Sequence, residues 1–212
     1  MVSTHLERFF EPPFIKHSYS CCKNKGTHKA VLTLWSMSQS LSSMRGQNCW
    51  VLKRDIKKVF ASVDQKILLD LLTKRIADQD FLRLLKEIIF SYSSSREVSN
   101  GQKGIPIGNL TSQFFANIYL NELDKFITGR LKIKNYIRYA DDFVICSTNR
   151  NILFDYIEII GAFLKNNLKL ELHPQKISIR KFKSGVDFLG YVVFPNYILP
   201  RTKTRRRLMS KI

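Results

Sequence analysis

Residues 136–146 read Tyr136-Ile-Arg-Tyr-Ala-Asp-Asp-Phe-Val-Ile-Cys146 and predict a hairpin of two apolar strands joined at an acidic turn. Asp141 and Asp142 are adjacent in a chain that has only 17 acidic residues. Two carboxylates about 4 Å apart repel by about 4 kcal/mol at an effective dielectric near 20. Bound Mg²⁺ would reverse the sign, because hard cations favour oxygen ligands. Taken alone, however, an Asp-Asp pair is more often an ordinary solvated turn.

A second acid, Asp55, ends the apolar segment that starts at Trp50, and Phe60 follows it five positions later. If both acidic segments end strands of one sheet, three carboxylates converge on one edge. Nucleotidyl transfer needs such ligands for two metal ions about 4 Å apart. An aromatic ring there would fill the space of a ribose 2′-hydroxyl and select deoxynucleotides. The plain alternatives are a strand-end turn for Asp55 and core packing for Phe60.

Apolar periodicity and capping residues predict interleaved helices and strands. Helices are expected at residues 30–45, after an Asp64 cap, at 81–92, from Asn109 or Thr111 to about 129, and after an Asn151 cap. A strand that runs into a tight turn is expected at residues 50–60, and further strands at Leu168–Leu172 and 177–179. Residues 186–194 form an apolar segment, which Pro195-Asn196 turns into residues 197–199. Hairpins outnumber strict strand-helix-strand units, so the predicted fold class is α+β, an antiparallel sheet with helices packed on one face.

The chain carries 35 Lys and Arg against 17 Asp and Glu, a net charge of +18. This surplus favours a polyanionic partner, with nucleic acid first and an anionic membrane surface second. A basic protein without such a partner is the plain alternative. No apolar run approaches the roughly 20 residues that span a bilayer, and the first 16 residues lack the apolar centre of a signal peptide. The four cysteines lack metal-binding spacing, which predicts reduced thiols in a cytoplasmic protein.

Four motifs in a fixed order resemble those of reverse transcriptases, the RNA-directed DNA polymerases, over residues 14–194. They are Asp55-Ile-Lys-Lys-Val-Phe60, Tyr139-Ala-Asp-Asp142, Leu170-Glu-Leu-His-Pro-Gln-Lys176 and Phe188-Leu-Gly-Tyr191. In that family the first motif binds metal and selects the sugar, and the second binds metal. The third lies near the triphosphate, and the fourth grips the primer end. The resemblance implies a polymerase palm with partial fingers and a largely absent thumb.

The resemblance also implies a role for each matching residue. Metal binding, by two Mg²⁺ with Mn²⁺ as an alternative, falls to Asp55, Ile56, Asp141 and Asp142. The catalytic set is Asp55, Asp141, Asp142 and Lys176, in which Lys176 protonates the leaving pyrophosphate. The nucleotide would contact Phe60, Ile107, Gly108, Gln113 and Lys176. An RNA template and a DNA or RNA primer would contact Lys23, Lys25, His28, Tyr139, Phe188, Leu189, Gly190 and Tyr191, although the basic residues are equally typical of a solvated surface.

The segment Ile107-Gly-Asn-Leu-Thr-Ser-Gln113 departs from the Gln-Gly start and Ser-Pro end of most reverse transcriptases. It resembles the enzymes of diversity-generating retroelements, as does Ser18–Lys29. That resemblance implies error-prone copying of template adenines and a retroelement accessory protein as partner. A physical reason is available, since Ile107 can only pack where Gln would donate hydrogen bonds. Enzymes of group II introns and defence systems are the alternatives.

We expect residues 1–50 to form partial fingers and the entry to the palm, residues 51–200 the palm, and residues 201–212 the start of a truncated thumb. The fingers segment that normally precedes Ser18, and most of the thumb, are expected to be absent. Two further interpretations remain: a catalytically idle remnant that binds nucleic acid, and a basic scaffold that binds a protein partner. Primer extension on RNA separates the first from a polymerase, and a salt-insensitive complex would mark the second.

Overall fold

The computed structural model describes residues 2–43, 48–91, 102–106 and 110–210. Its helices are α1 Val2–Phe10, α2 Thr27–Ser43, α3 Val59–Ser62, α4 Gln65–Thr73, α5 Gln79–Phe90, α6 Leu110–Lys125, α7 Arg150–Leu168 and α8 Thr202–Met209. A π-helical turn, Phe126–Arg130, continues α6. The strands are β1 Trp50–Asp55, β2 Tyr136–Tyr139, β3 Asp142–Ser147, β4 Ser178–Lys181, β5 Val186–Phe188, β6 Tyr191–Val193 and β7 Ile198–Pro200.

The main sheet has four strands in the order β2-β3-β1-β4, and all neighbouring strands are antiparallel. β2 and β3 form the hairpin that the sequence predicts, and β1 lies beside β3 although 86 residues lie between the two strands in the chain. The predicted α+β class, an antiparallel sheet with packed helices, is confirmed. β1 is hydrogen-bonded on both sides, so its position fixes the position of its last residue, Asp55.

Both faces of the main sheet are covered by apolar side chains. On one face, Leu52, Phe143 and Ile145 pack in a core with α1 and α4 to α7. On the other face, Val51 and Val144 pack against α2 and the small sheet. Alternate residues of a strand point to opposite faces, so adjacent buried residues require cover on both sides. Helix α2 therefore lies on the face opposite the other large helices.

A second sheet has three antiparallel strands in the order β5-β6-β7. Leu189 and Gly190 form the two-residue turn between β5 and β6, with φ of 50° and 86°. Positive φ at both central residues is the geometry that matches the twist of a hairpin. Gly190 adopts a positive φ at no steric cost, whereas for Leu189 the same conformation is strained. The turn therefore projects from the sheet in one defined conformation.

Several local predictions are confirmed and others are wrong. Asp64 caps α4 by accepting hydrogen bonds from the backbone N–H groups of Lys66 and Ile67. The predicted strand at Leu168–Leu172 is wrong, because Leu168 still belongs to α7 and Lys169 ends that helix with φ of 51°. α7 is capped by Asn149 instead of Asn151. Helix α1 was not predicted at all.

No helix in the described ranges combines the length and the apolar character needed to cross a membrane. The four cysteines are all free thiols. Cys49 and Cys146 are buried on neighbouring strands, and the hydrogen bond to Cys146 lowers the pKa of the Cys49 thiol.

A fully buried ion pair joins β2 to α6. Arg138 and Asp124 have no exposed side-chain surface, and two parallel contacts join them: Nη2 to Oδ2 at 2.6 Å and Nε to Oδ1 at 2.8 Å. The Tyr136 hydroxyl donates a further hydrogen bond to Oδ1 at 2.7 Å. Burial alone would lower the pKa of Arg138, but the Asp124 carboxylate outweighs burial and raises it. Arg138 is therefore a permanent cation inside the protein.

The other N–H groups of Arg138 also have acceptors. Nη1 donates to Asn117 Oδ1 at 3.1 Å and to the Ala140 carbonyl at 3.0 Å, and Nη2 donates to Ser18 Oγ at 3.1 Å. All five donors of the guanidinium are thus used. The backbone of Arg138 is bonded to residues 17 and 19, which extends the sheet by one bridge at the N-terminal loop. One side chain thus ties the hairpin, α6 and this loop together.

Replacing Asp124 with Asn should lower the free energy of unfolding by about 3–5 kcal/mol, because it leaves the Arg138 charge buried without a counter-charge. Urea denaturation followed by circular dichroism measures the change. The control is Glu122→Gln on the same helix, which breaks the exposed pair with Lys125 (2.6 Å) and should cost at most about 1 kcal/mol. Equal losses in the two variants would contradict the role given to the buried pair.

Candidate active site

The acids singled out from the sequence lie together at one end of the main sheet. Asp55 and Asp142 are direct partners in the register of β1 and β3. The next residue, Ile56, donates its backbone N–H to the Asp141 carbonyl at 3.2 Å. The Ile56 side chain is fully buried, so only its backbone can contribute to a metal site. The topology therefore brings three carboxylates from two neighbouring strands to a single edge.

The turn that carries two of these acids has an unusual backbone conformation. Ala140 has φ of 53°, in the left-handed region that side-chain-bearing residues rarely adopt. The Arg138 guanidinium donates to the Ala140 carbonyl, and Asn117 donates from Nδ2 to the Ser20 carbonyl at 2.7 Å. Arg138 is in turn held by Asp124 and Asn117 of α6. The backbone that leads into Asp141 therefore depends on the buried hydrogen bonds of Arg138.

The acids destabilise one another in the ionised form. Burial, followed by the negative charge of Asp55, raises the pKa of Asp141. Burial likewise raises the pKa of Asp142, with Asp141 and Asp55 adding to the effect and Lys53 opposing it. A pair of carboxylates whose pKa values are raised in this way favours a cation beside it. Such cations are present, because Lys176 is bonded to Asp55 and Lys53 lies 3.9 Å from Asp142.

The three carboxylates are suitable metal ligands, provided that Lys176 leaves Asp55. The carboxylates are hard oxygen ligands at one edge, as Mg²⁺ and Mn²⁺ prefer. As it stands, the described part of the chain contains no group of three or more His, Cys, Asp or Glu side chains poised to hold an ion. Lys176 Nζ is bonded to Asp55 Oδ2, and this hydrogen bond raises the pKa of Lys176. A metal ion would therefore have to displace the ammonium group from Asp55.

Beside the acids lies a cavity of about 310 Å³ that contains two of the predicted nucleotide-binding residues. Phe60 and Gln113 line it together with Tyr139, Ala140 and Asp141. The amide oxygen of Gln113 accepts a hydrogen bond from the Cys21 thiol at 2.8 Å, which connects the N-terminal loop with α6. Of the other three predicted residues, Lys176 lies beside Asp55, and Ile107 and Gly108 lie outside the described residues. The ring of Phe60 thus lines the same cavity as the Asp141 carboxylate.

A larger cavity, of about 750 Å³, collects most of the predicted template and primer residues. It is lined by Lys25, His28, Leu189, Gly190, Tyr191 and five others that include Lys29 and Arg207. We call this the basic cavity. A hydrogen bond of 2.7 Å between His28 Nε2 and the Tyr191 hydroxyl joins α2 to the β5–β6 hairpin across it.

Three of the predicted template and primer residues lie elsewhere. Tyr139 lines the cavity beside Phe60, and Lys23 forms an ion pair with Glu7 at 3.3 Å. The prediction is wrong for Phe188 as a contact residue, because its side chain is 0% exposed in the core. Phe188 packs in the core beneath the hairpin, and the turn residues Leu189 and Gly190 line the basic cavity. Lys25 lines the basic cavity, but its ammonium group donates to three backbone carbonyls of the N-terminal loop.

The residues that hold the turn in place were not singled out from the sequence. Arg138 and Asp124 line neither cavity and Asn117 lines the smaller one, and all three support the backbone that precedes Asp141. One signal was available: an arginine in the middle of an otherwise apolar strand must find a partner when buried. The identity of that partner, on a helix 14 positions earlier in the chain, had no local signal.

Comparison with known proteins gives a family. A family model described as "Reverse transcriptase (RNA-dependent DNA polymerase)" matches residues 1–193. Protein YkfC of Escherichia coli is 26% identical over an alignment of 219 residues, and the alignment covers 88% of this chain and 57% of that protein. The group II intron-encoded protein LtrA of Lactococcus lactis is 25% identical over 249 residues, with 88% and 40% covered. The retron Ec73 reverse transcriptase of Escherichia coli is 30% identical over 189 residues, with 82% and 52% covered.

Solved structures show the same fold. Telomerase from Candida tropicalis, truncated from its C-terminal domain, superposes with a TM-score of 0.70 at 11% identity, over 94% of this chain and 44% of that chain. Telomerase from Candida albicans in complex with a fragment of telomeric RNA gives a TM-score of 0.67 at 13% identity, with 94% and 38% covered. In both comparisons, and against the curated relatives above, this chain spans little more than half of the other protein, or less.

Replacing Ala140 with Val should lower the free energy of unfolding by about 1–3 kcal/mol, because a β-branched residue is strained in the left-handed conformation. Ala140→Gly is the matched control, and it should leave stability unchanged or raise it slightly. Urea denaturation of both variants provides the measurement. If valine is tolerated as well as glycine, the turn does not have the backbone conformation described.

Proposed function

The chain belongs to the reverse transcriptase family, and on this premise we propose that it is an RNA-directed DNA polymerase whose catalytic acids are Asp55, Asp141 and Asp142. The observation that carries the proposal is the pairing of Asp55 with Asp142 across β1 and β3, with Asp141 next to them. The substrates would be deoxynucleoside triphosphates, an RNA template and a DNA or RNA primer. Because the chain spans only part of its relatives, activity is proposed for this chain and not transferred from them.

The proposed reaction makes one bond and breaks one. The primer 3′-hydroxyl oxygen attacks the α-phosphorus of the nucleotide, a phosphodiester bond forms, and the bond to the β-phosphate breaks with its electron pair leaving on pyrophosphate. The hydroxyl proton passes to solvent. Two Mg²⁺ or Mn²⁺ ions, held by the three acids and the backbone at Ile56, would activate the hydroxyl and neutralise the charge that develops on the phosphates.

Lys176 is proposed as the proton donor to the leaving pyrophosphate. Its hydrogen bond with Asp55 raises its pKa, so the group carries its proton at neutral pH. It lies at the same edge as the acids, on the segment between α7 and β4. Release from Asp55 when cations bind there would free the ammonium group to move to the phosphates. The lysine thus has two proposed places, one before and one after substrate binds.

Phe60 and Gln113 are proposed to contact the sugar and base of the incoming nucleotide. Both line the cavity of about 310 Å³ that also contains Asp141. The ring of Phe60 would exclude a 2′-hydroxyl by occupying its volume. The primer and template would lie along the basic cavity, where His28, Leu189, Gly190 and Tyr191 meet Arg207. The surplus of 18 positive charges supports a polyanion as partner.

The domain division is proposed on the same premise. Residues 1–50 would act as partial fingers and entry to the palm, residues 51–200 as the palm, and residues 201–212 as the start of the thumb. Free thiols support a reducing compartment such as the cytoplasm.

The subtype is a finer proposal. Ile107–Gln113 supports an error-prone enzyme of a diversity-generating retroelement, with an accessory protein as partner. The relatives above, a group II intron protein and a retron enzyme, support the alternative subtypes. Flanking DNA repeats that differ mainly at adenines would decide in favour of the first.

A second candidate function is nucleic-acid binding without catalysis. It is favoured by the bond of Lys176 to Asp55, which places an ammonium group where a metal ion is proposed. A metal ion that fails to displace this lysine would leave an inert palm with a basic surface.

Asp55→Asn and Asp141→Asn should each reduce primer extension on an RNA template with Mg²⁺ by more than about 10²-fold, since even outer partners of metal ligands cost 10–100-fold. Extension is measured on gels with a labelled primer, and template binding by fluorescence anisotropy should persist. The control is Asp155→Asn, an exposed acid on α7, which should extend normally. Binding without extension in the unaltered chain would favour the second candidate function.

Phe60→Val should raise the incorporation of ribonucleotides relative to deoxynucleotides by about 10-fold or more, because a smaller side chain admits the 2′-hydroxyl. Competing triphosphates in the extension assay give the ratio. Phe154→Val, at an exposed phenylalanine of α7, is the matched control and should not change selectivity. An unchanged ratio in Phe60→Val would remove the sugar-selecting role from this ring.

A further inference from the structure

A third cavity, of about 480 Å³, lies where the end of β1, the edge strand β4 and the first strand of the small sheet meet. Five cationic side chains line it: Lys53, Arg54, Lys176, Arg180 and Arg201. We call it the arginine cavity. It touches the proposed active site, because Asp55 and Asp142 form part of its wall. None of its arginines was singled out from the sequence.

Arg54 is the unusual member of this group. The residue is only 4% exposed, and its Nε and Nη1 atoms are buried without a hydrogen-bond partner. An unsatisfied buried donor costs about 1–3 kcal/mol, more when charged. Burial also lowers the pKa of Arg54, with Asp55 only partly opposing it. A bound anion that supplies the missing acceptors is one physical explanation for such a group.

Arg201 also lines this cavity and also has a buried Nε without a partner, although its side chain is more exposed than that of Arg54. Its Nη2 is bonded to Asp187 Oδ1, which fixes the guanidinium plane, while its Nε is buried without a partner. Its backbone N–H donates to the Gly190 carbonyl at 2.8 Å, so the β5–β6 turn holds the chain in place. Two guanidinium groups from separate elements therefore line one cavity, and the Nε atom of each is buried beside it without a partner.

The charge in the cavity is not balanced. Its three carboxylates already have cations: Asp55 has Lys176, Asp187 has Arg201, and Asp142 has Lys53 at 3.9 Å. Arg54 and the exposed Arg180 of β4 have no carboxylate partner among the described residues that line it. The cavity therefore has surplus positive charge as well as unused donors, which together favour an anion beside the acids.

We propose that the arginine cavity binds a phosphate group next to the catalytic acids. The proposal rests on the polymerase function above, since the proposed reaction brings phosphate groups to the acids beside this cavity. Guanidinium forks match the oxygens of phosphate in a bidentate geometry. Two sources carry this chemistry: the pyrophosphate that leaves the reaction, and a phosphodiester of the primer strand. Lys176, at the boundary with Asp55, connects the cavity with the site of bond breakage.

The test titrates the full chain with sodium pyrophosphate in the calorimeter, with EDTA present so that no metal ion contributes. Arg54→Gln and Arg180→Gln should each weaken binding at least tenfold. The control is Arg83→Gln, an arginine of α5 that is 82% exposed and 4.0 Å from Glu87, and it should bind as the unaltered chain does. Because Arg54 is buried, Arg180→Gln serves as the test if circular dichroism shows that the first variant is unfolded.

A second titration, with a short RNA–DNA duplex at several salt concentrations, separates the two sources. Weaker pyrophosphate binding with unchanged duplex affinity assigns the leaving group. Weaker duplex binding, with the slope of log affinity against log salt reduced by about one, assigns the primer strand. No change in either titration for the arginine variants, or an equal change in Arg83→Gln, overturns the proposal.

The outcome does not depend on turnover. Asp141 does not line the arginine cavity, so Asp141→Asn should abolish the proposed extension and keep pyrophosphate affinity within twofold. Loss of pyrophosphate binding in Asp141→Asn would overturn the placement of the ligand in this cavity. A chain that binds pyrophosphate through Arg180 but never extends a primer would refute the proposed function and retain the phosphate site.

Discussion

The buried contact between Arg138 and Asp124 is the constraint on which the remaining structure depends. One guanidinium, with every donor used, holds the β2–β3 hairpin against α6 and draws the N-terminal loop to the edge of the sheet. The same group reaches the carbonyl of Ala140 and so supports the turn that carries the acids. A charge inside an apolar core is costly, and it is tolerated because its hydrogen bonds are complete. Structural and catalytic requirements therefore meet in a residue that touches no proposed substrate.

The acidic edge could be predicted from the sequence because its signals are local. Two local patterns predict that a strand ends. One is the apolar segment that ends in Asp55, and the other is the predicted hairpin with Asp141 and Asp142 at its turn. Antiparallel pairing of the two then places the acids side by side. The capping role of Asp64 was readable for the same reason, since its partners are two and three residues away. The proposed function rests on this geometry together with the order of the motifs.

What the sequence could not disclose depends on contacts between distant segments. The alternation at Leu168–Leu172 matches a strand, yet Leu168 also continues the apolar face of α7 from Leu164, and burial of that face prevails. The interior position of Phe188 depends on which face of the small sheet meets α2. The gathering of Arg54, Arg180 and Arg201 requires strands from both sheets to come together. Short-range periodicity contains none of this information.

The cover on both faces of the main sheet has a consequence for the timing of motion. β1 is hydrogen-bonded to β3 and β4 and lies between two apolar cores, so its amides should exchange with solvent only on near-global opening. Asp55, at the end of this strand, is then anchored in the slowest part of the molecule. Lys176, by contrast, is on an exposed connection and has a half-exposed side chain. A carboxylate on a doubly paired strand beside a half-exposed ammonium group lets the charge around the acids rearrange without movement of the backbone beneath them.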